Sequence, residues 1–322
     1  MNIVDFYRKK IYPNIYKSYH TLNAIRYRNY GFDLLEQSYI ATENLHFKKI
    51  MRIENGEFTY EYFNFCYLHN ILSLMLYAAY HHAYPQICIN ETKHDLIHWE
   101  WYFHQPFEKQ LSEQTLPAKI CPIKFSSFQP HFKDVYQAEH IRLWGKMYKI
   151  FVHLNDQTRA YVENEYQTIF KDKSRVLGVL CRGTDYLRLR PAGHPVQPDI
   201  NDVITLCRKK ISEDSYEAIY LATEEKQIRD KFADAFPNMV LENKRTYYDN
   251  IYYKNNIQYI KDVHFERENN NYWRGLEYLS SIILLSRCTS LIGGNCGGTL
   301  AALFLNDGNY QYTHIFDLGL YP

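Results

Sequence analysis

The segment VLGVLCRGTDYLRLRPAGHPVQPD, residues 176 to 199, constrains the fold more than any other part of this chain. It opens on an apolar run, VLGVL, and such a run with β-branched residues predicts a strand buried on both faces of a parallel sheet. The run ends abruptly in a charged turn, and α/β proteins place their chemistry at the carboxyl ends of such strands. Two interpretations of this turn stay open. Arg182 presents a planar guanidinium to a phosphate or carboxylate ligand, or it closes the loop as an ion pair with Asp185.

The composition is typical of a globular chain that is long enough for two domains. The 322 residues are 46% hydrophobic and carry a formal net charge of +1. This balance argues against a nucleic-acid-binding protein, which would need to neutralise phosphates. No apolar run approaches the length of a membrane span, and the first residues lack the apolar core of a signal peptide. The seven cysteines show no C-x-x-C spacing, so we expect reduced thiols, no metal site and a cytoplasmic location.

The first 30 residues are basic and rich in aromatic side chains. They contain six Lys and Arg residues against the single acid Asp5. An amphipathic basic segment can lie on an anionic membrane surface, which would place the protein at the inner membrane face. A solvated helix packed on the body of the protein explains the same pattern.

A β-loop-α-β unit is predicted after this segment, and it is the opening of a Rossmann-like domain. Residues 57 to 65 alternate aromatic and polar side chains and predict a strand. His69 and Asn70 then fall in the first loop, beside the amino terminus of an apolar helix that Pro85 ends. Residues 86 to 90 predict the next strand. His94 and His98 have helical ligand spacing, but without an evident third ligand we interpret them as a structural pair.

The rest of the chain repeats the α/β rhythm. Residues 134 to 170 predict two helices, broken at Asn155 and Asp156, and we place a domain boundary between residues 172 and 173. The predicted domains are therefore residues 1–172, with a helical amino-terminal extension, and residues 173–322. Further strands are predicted at residues 218–222, 239–241, 290–292 and 314–318, with helices at 200–211, 226–236, 273–287 and 300–305. The polar, tyrosine-rich residues 242 to 271 predict a long active-site loop or lid.

Three predicted strand ends deliver polar groups to one edge of one sheet. They carry Arg182 with Asp185, Thr223 with Glu224, and a glycine-rich turn at residues 293 to 299. A glycine-rich turn before a helix exposes backbone N–H groups and the positive helix end to a phosphate. Its spacing, G-G-x-x-G-G near the carboxyl terminus, does not favour a dinucleotide-binding dehydrogenase. The chain has no D-x-D triplet, which is the usual way in which glycosyltransferases hold a divalent metal on a sugar diphosphate. If a sugar nucleotide is the ligand, Arg182 and helix termini must neutralise the leaving diphosphate themselves.

Four blocks of the sequence resemble the alpha-1,6-fucosyltransferases, which include the rhizobial nodulation enzymes and are related to the protein O-fucosyltransferases. The blocks are CYLHNILSLMLYAAYHHAY, VLGVLCRGTDYLRLRPAGHP, AIYLATEEKQI and WRGLEYLSSIILLSRCTSLIGGNCGGTLAALFL. They occur in the family's order between residues 60 and 305. The resemblance implies an α/β fold of the GT-B type, with two Rossmann-like domains that face each other across a cleft.

The resemblance also implies GDP-fucose as donor substrate, no metal cofactor and inversion at the anomeric carbon. Arg182 resembles the arginine that holds the β-phosphate, and Glu224 resembles the acid that recognises guanine. His69 and Asn70 resemble the loop that touches the diphosphate. A family turn that binds the donor corresponds to Gly294, Asn295, Cys296 and Gly297. The sequence departs from the family at four positions, where Gly183 replaces a second arginine, Arg190 a glutamate, Tyr186 a lysine and Ser281 an aspartate.

The resemblance therefore implies an inverting glycosyltransferase that moves fucose, or a related deoxysugar, from GDP to a sugar hydroxyl. The acceptor would be a glycan or a lipid-linked oligosaccharide, in the synthesis of a bacterial surface polysaccharide. Asp185 and His194 are the candidate bases for the acceptor proton, beside Arg182 as the catalytic cation. Two alternatives stay open: a sugar-nucleotide 2-epimerase of the same fold, and a non-catalytic protein that binds nucleotide sugars.

Overall fold

A computed structural model describes residues 47–55, 60–91, 95–108, 116–122, 130–257 and 259–322. The basic amino-terminal segment and His94 lie outside these residues, so the predicted membrane contact and histidine pair stay predictions. Within the described ranges, no helix has both the length and the apolar character that a bilayer crossing needs. The six cysteines whose side chains are described are free thiols.

The amino-terminal part of the described chain forms a three-stranded parallel sheet. Its strands are β1 (Lys49–Glu54), β2 (Ala83–Cys88) and β3 (Ala118–Pro122), in the order β2-β1-β3. Helix α1 (Phe65–Tyr80) connects β1 to β2. The sequence predicts a strand at residues 57 to 65, of which residues 57–59 lie outside the described ranges. For residues 60 to 65 the prediction is wrong, because residues 60 to 64 are irregular and Phe65 begins α1. Phe63 and Phe65 are buried in the core there, and Asn64 caps α1 by accepting a hydrogen bond from the Tyr67 backbone N–H at 2.9 Å.

Two helices connect the sheets, as the sequence predicts. They are α2 (Ala138–Phe151) and α3 (Asp156–Phe170). Asn155 starts the second helix, since its side chain accepts from the Thr158 backbone N–H at 2.8 Å. The ring of Phe170 lies 5.4 Å from that of Tyr220 in the second sheet. Helix α3 therefore packs against the carboxyl-terminal half of the chain, and the domain boundary after residue 172 stays a prediction.

The second sheet has five parallel strands in the order β6-β5-β4-β7-β8. The strands are β4 (Val176–Leu180), β5 (Ala218–Ala222), β6 (Val240–Leu241), β7 (Ser290–Gly294) and β8 (Tyr312–Phe316). The helices of this half are α4 (Thr184–Leu189), α5 (Ile200–Glu213), α6 (Lys226–Ala235), α7 (Asp249–Lys254), α8 (Asn270–Ser286) and α9 (Gly297–Asn306). Every residue of β4, β5 and β7 is buried, as their continuous apolar runs predict.

The order of the strands fixes where a ligand can enter. After β4 the chain builds outward through β5 and β6, and then returns to the other side of β4 to form β7 and β8. The loops after β4 and β7 consequently leave the sheet in opposite directions. A crevice at the carboxyl ends of such strands is the usual ligand site of an open α/β sheet. The predicted α/β class, with parallel sheets, is confirmed.

Candidate functional site

Arg182 stands at the carboxyl end of β4, where the buried strand gives way to a polar turn. Its side chain is 18% exposed, and its Nε lies 3.4 Å from Oε1 of Glu224. The guanidinium also lies over the ring of Tyr186, 4.8 Å from its centroid. Arg182 therefore pairs with an acid of the neighbouring strand end. Asp185 belongs to α4, and its side chain is not among those described, so its role as a base stays a prediction.

Glu224 joins the loops that follow β4 and β5. It is 7% exposed, and its Oε1 accepts a hydrogen bond from the backbone N–H of Gly183 at 2.9 Å. The preceding residue, Thr223, is also buried, and its hydroxyl accepts from the backbone N–H of Glu225 at 3.3 Å. The structure thus brings Arg182, Thr223 and Glu224 together at one sheet edge, as their positions after adjacent strands predict.

Glu225 is a buried acid that the sequence analysis did not single out. It is 5% exposed, and its carboxylate accepts a hydrogen bond from the hydroxyl of Tyr253 at 2.9 Å. It also explains the glycine after Arg182. A β-carbon at position 183 would lie only 2.4 Å from Cδ of Glu225. The only sequence signal for this role is the pair of acids that follows β5.

The glycine-rich turn after β7 divides into two parts with different surroundings. Gly294 and Asn295 pack against Gln197, whose Nε2 donates to the carbonyl of Asn295 at 2.9 Å. Cys296 and Gly297 instead stand at the amino terminus of α9, which has no side-chain cap. A β-carbon at Gly297 would meet no atom within 4 Å. The start of α9 is therefore open to an anion, while the preceding two residues shape the turn.

His69 and Asn70 lie inside α1, so the prediction that they form a loop is wrong. The Nε2 of His69 lies 2.7 Å from the hydroxyl of Tyr148, and burial lowers the pKa of His69 to about 3. Asn70 is also buried, and its Nδ2 donates to the hydroxyl of Tyr60 at 3.1 Å. His69 and the Nδ2 of Asn70 thus contact tyrosine hydroxyls that the local sequence pattern does not reveal, while the Oδ1 of Asn70 has no hydrogen-bond partner among the described residues.

A cavity of about 290 Å³, which we call the Arg182 cavity, lies at the ends of β4, β5 and β7. Arg182, Thr223, Glu224, Cys296 and Gly297 line it, together with the first residues of α1. His69, Asn70, Gly294, Asn295 and His194 are not part of this lining. The Nδ1 of His194 lies 3.2 Å from the carbonyl of Ala192, and its ring packs beside Tyr186.

Two further arginines line the Arg182 cavity, and the sequence analysis missed both. Arg274 in α8 is 1% exposed and donates to the carbonyls of Val263 at 2.6 Å and Ile260 at 3.0 Å. It therefore holds the segment from 242 to 271 against the cavity. Arg245 comes from the start of that segment, and its Nε is buried without a hydrogen-bond partner in the described part of the chain. The signal that marks Arg274 is its charge in a helix whose only other charged residue is Glu277.

The segment from 242 to 271 is not the continuous loop that its composition predicts. It contains α7 and a short 3₁₀ helix at Ile260–Asp262. Arg267 and Glu277 form an ion pair of 2.6 Å, and Glu277 also accepts from the backbone N–H of Thr246 at 3.1 Å. These contacts fix the segment as one wall of the Arg182 cavity. In the ranges that the structure covers, no three His, Cys, Asp or Glu side chains are grouped to hold a metal ion.

Comparison with solved structures finds similar folds at low sequence identity. The fucosyltransferase NodZ from Bradyrhizobium is 14% identical, with a TM-score of 0.45 over 79% of this chain and 93% of that chain. A variant of Arabidopsis thaliana FUT1 in complex with GDP is 8% identical, with a TM-score of 0.47 over 83% of this chain and 70% of that chain. POFUT1 in complex with GDP-fucose is 8% identical, with a TM-score of 0.46 over 84% of this chain and 98% of that chain. No family model and no curated protein matches the sequence.

Proposed function

We propose that this protein is a glycosyltransferase of the GT-B type that transfers fucose, or a related deoxysugar, from a GDP-sugar to a sugar hydroxyl. One observation carries the proposal. Arg182, Glu224 and the uncapped start of α9 line the same cavity, at the carboxyl ends of three adjacent parallel strands. This arrangement offers a cation, an acid and backbone N–H donors to one ligand that has a diphosphate and a base.

The diphosphate binds at the start of α9 and against Arg182. The positive end of a helix and a guanidinium both stabilise negative charge, and that charge increases on GDP as the sugar departs. Arg245 adds a further positive group to the lining of this cavity. These groups take the place of a divalent cation, so we propose that transfer needs no metal.

Glu224 recognises the guanine base. Guanine presents two N–H donors on one edge, and a carboxylate accepts both, whereas uracil offers only one donor at the equivalent edge. Glu224 is held in position by the N–H of Gly183 and by Arg182. This constraint reduces the entropy that the side chain would lose on binding.

The transfer is a single displacement with inversion. The acceptor oxygen forms a bond to the anomeric carbon, the bond from that carbon to the diphosphate breaks, and GDP leaves with the electron pair. The acceptor proton goes to a base. Asp185 is our candidate because it follows Arg182 at the start of α4. His194 lies outside the lining of the Arg182 cavity and is a weaker candidate. We propose a glycan or lipid-linked oligosaccharide of a bacterial surface polysaccharide as acceptor.

A turnover assay tests this function. Purified protein is incubated with GDP-fucose, GDP-mannose or UDP-GlcNAc, with EDTA present, and released nucleotide and sugar products are measured with and without an oligosaccharide acceptor panel. We expect nucleotide release from GDP-fucose that EDTA leaves unchanged, and a loss of roughly 100- to 1,000-fold in the Arg182→Ala variant. Arg208→Ala is the control, since the Arg208 guanidinium lies over the Phe236 ring, 5.8 Å from its centroid, and Arg208 is not part of the lining of the Arg182 cavity. Release of an epimerised sugar without acceptor would support the epimerase instead.

A further inference from the structure

A second cavity lies beside the same turn, between the amino termini of α5 and α6. Its volume is about 600 Å³, and we call it the Lys231 cavity. Arg182 is the one described residue that lines both cavities. The loop after β4, with Gly183 packed against Glu225, therefore separates two sites that meet at a single guanidinium.

The walls of the Lys231 cavity carry positive charge that the fold does not use. Arg190 and Lys231 both line it, and neither forms an ion pair with a carboxylate of the described residues. The two acids of the lining are engaged locally. Glu225 accepts from the hydroxyl of Tyr253, and Asp199 caps α5 by accepting from the Asn201 N–H at 2.8 Å. Arg190 and Lys231 are therefore not paired with the two acids of the same lining, and both cations can donate to an occupant.

Helix α6 adds a third positive feature to this cavity. It has ten residues, its N-cap Glu225 makes no side-chain cap bond, and its first turn contains no acid. Residues 227 and 228, in that first turn, line the cavity. An uncapped helix start beside two cations is a favourable environment for a phosphate group.

The rim of the Lys231 cavity is apolar and aromatic. Tyr253 is 47% exposed and Leu187 is 44% exposed, and both line the cavity. A tyrosine ring with one accessible face is suited to a sugar ring, whose C–H groups form an apolar face with hydroxyls at its edge. The hydroxyl of Tyr253 is held by Glu225, which fixes the position of the ring.

We propose that the Lys231 cavity binds the acceptor, and that this acceptor is a sugar that carries a phosphate or diphosphate group. The phosphate lies at the start of α6 with Arg190 and Lys231, and the sugar ring packs against Tyr253. A hydroxyl of the sugar then reaches Arg182, the wall shared with the Arg182 cavity. This inference rests on the proposed function for its assignment as acceptor, but the anion site itself does not. A soluble sugar phosphate and a lipid-linked sugar diphosphate present the same chemistry.

The test measures the binding of glucose 1-phosphate by saturation-transfer NMR, with protein that has first been saturated with GDP. The variant is Arg190→Gln/Lys231→Gln, and the charge-matched control is Arg208→Gln/Lys209→Gln on the exposed side of α5. We expect at least a 10-fold weaker affinity in the variant, no change in the control, and equal GDP affinity in all three proteins. Equal glucose 1-phosphate affinity in variant and wild type would overturn the proposal.

A second arm separates the two sources of phosphate. A short-chain polyprenyl glucosyl diphosphate in detergent micelles replaces glucose 1-phosphate in the same comparison. Binding at least 10-fold tighter than the soluble probe, and lost in the variant, assigns a lipid-linked acceptor, while equal affinity assigns a soluble one. If neither probe binds, the proposal is wrong. If GDP does not bind, the donor assignment fails, and the titration without GDP still tests the anion site.

Discussion

The packing of Gly183 against Glu225 gives a prediction whose size follows from the structure. In Gly183→Ala, the new methyl group would lie 2.4 Å from Cδ of Glu225 and 2.5 and 2.7 Å from its two oxygens. Ordinary contact needs about 1 Å more, so the carboxylate must move. Movement breaks the hydrogen bond from Tyr253, worth about 1.5–3 kcal/mol for a charged acceptor. It also forces the side chain from its rotamer, at about 0.5–1.5 kcal/mol.

We therefore expect Gly183→Ala to lower the free energy of unfolding by about 2–4 kcal/mol. The assay is equilibrium unfolding in urea, monitored by tryptophan fluorescence. A double-mutant cycle with Glu225→Ala isolates the cause, because the obstructing carboxylate is then absent. The cost of Gly183→Ala should fall by at least about 1.5 kcal/mol in that background. An equal cost in both backgrounds would refute the role of Glu225.

Three further predictions concern the Arg182 cavity and the core behind it. Gly297→Ala should change the free energy of unfolding by less than about 0.5 kcal/mol, because the new methyl group enters open space. Calorimetry should show that its GDP affinity falls at least tenfold, because the same methyl group displaces a phosphate. Arg274→Met should lower the free energy of unfolding by about 2–4 kcal/mol and speed hydrogen exchange in residues 248–263, because two carbonyls lose a buried donor. The control Arg287→Met, at an exposed position, should lower it by less than about 1 kcal/mol. Burial holds the pKa of His69 near 3, below its value in the unfolded chain, so the unfolded state binds more protons. The free energy of unfolding therefore decreases as the pH is lowered below about 6.5. Urea unfolding should show a loss of about 2 kcal/mol between pH 7 and pH 5 that His69→Gln removes, and an equal loss in that variant would contradict it.

The sequence predicts the second sheet well because its strands are buried on both faces. Strand β5 has the predicted bounds, and β4 begins and ends where its apolar run does. The local sequence alone carries this information, since a continuous apolar run identifies a buried strand without reference to the strands that pair with it. The break between α2 and α3 is equally local, because Asn155 caps the second helix with its own side chain.

The sequence predicts less of the site where long-range contacts decide the outcome. Adjacent strand ends correctly place Arg182 beside Glu224, because strand order brings them together. His69 resembles a loop residue, but it is satisfied inside a helix by Tyr148, which lies 79 residues later in the chain. Arg274 acts on carbonyls of a segment whose irregular fold has no periodic signal. Partners of this kind are fixed by tertiary packing, which no local pattern encodes.

The donor assignment depends most directly on Arg182, and calorimetric titration tests it. Wild type, Arg182→Ala and the control Arg208→Ala are titrated with GDP, GDP-fucose, GDP-mannose and UDP-GlcNAc without added metal. We predict that GDP and GDP-fucose bind wild type and the control alike. Arg182→Ala should lose about 2–3 kcal/mol, or about 30- to 150-fold in affinity, as for a hydrogen bond to a charged group. Binding of UDP-GlcNAc in preference to GDP, or equal GDP affinity in Arg182→Ala and wild type, would contradict the account and leave Arg182 as a structural partner of Glu224.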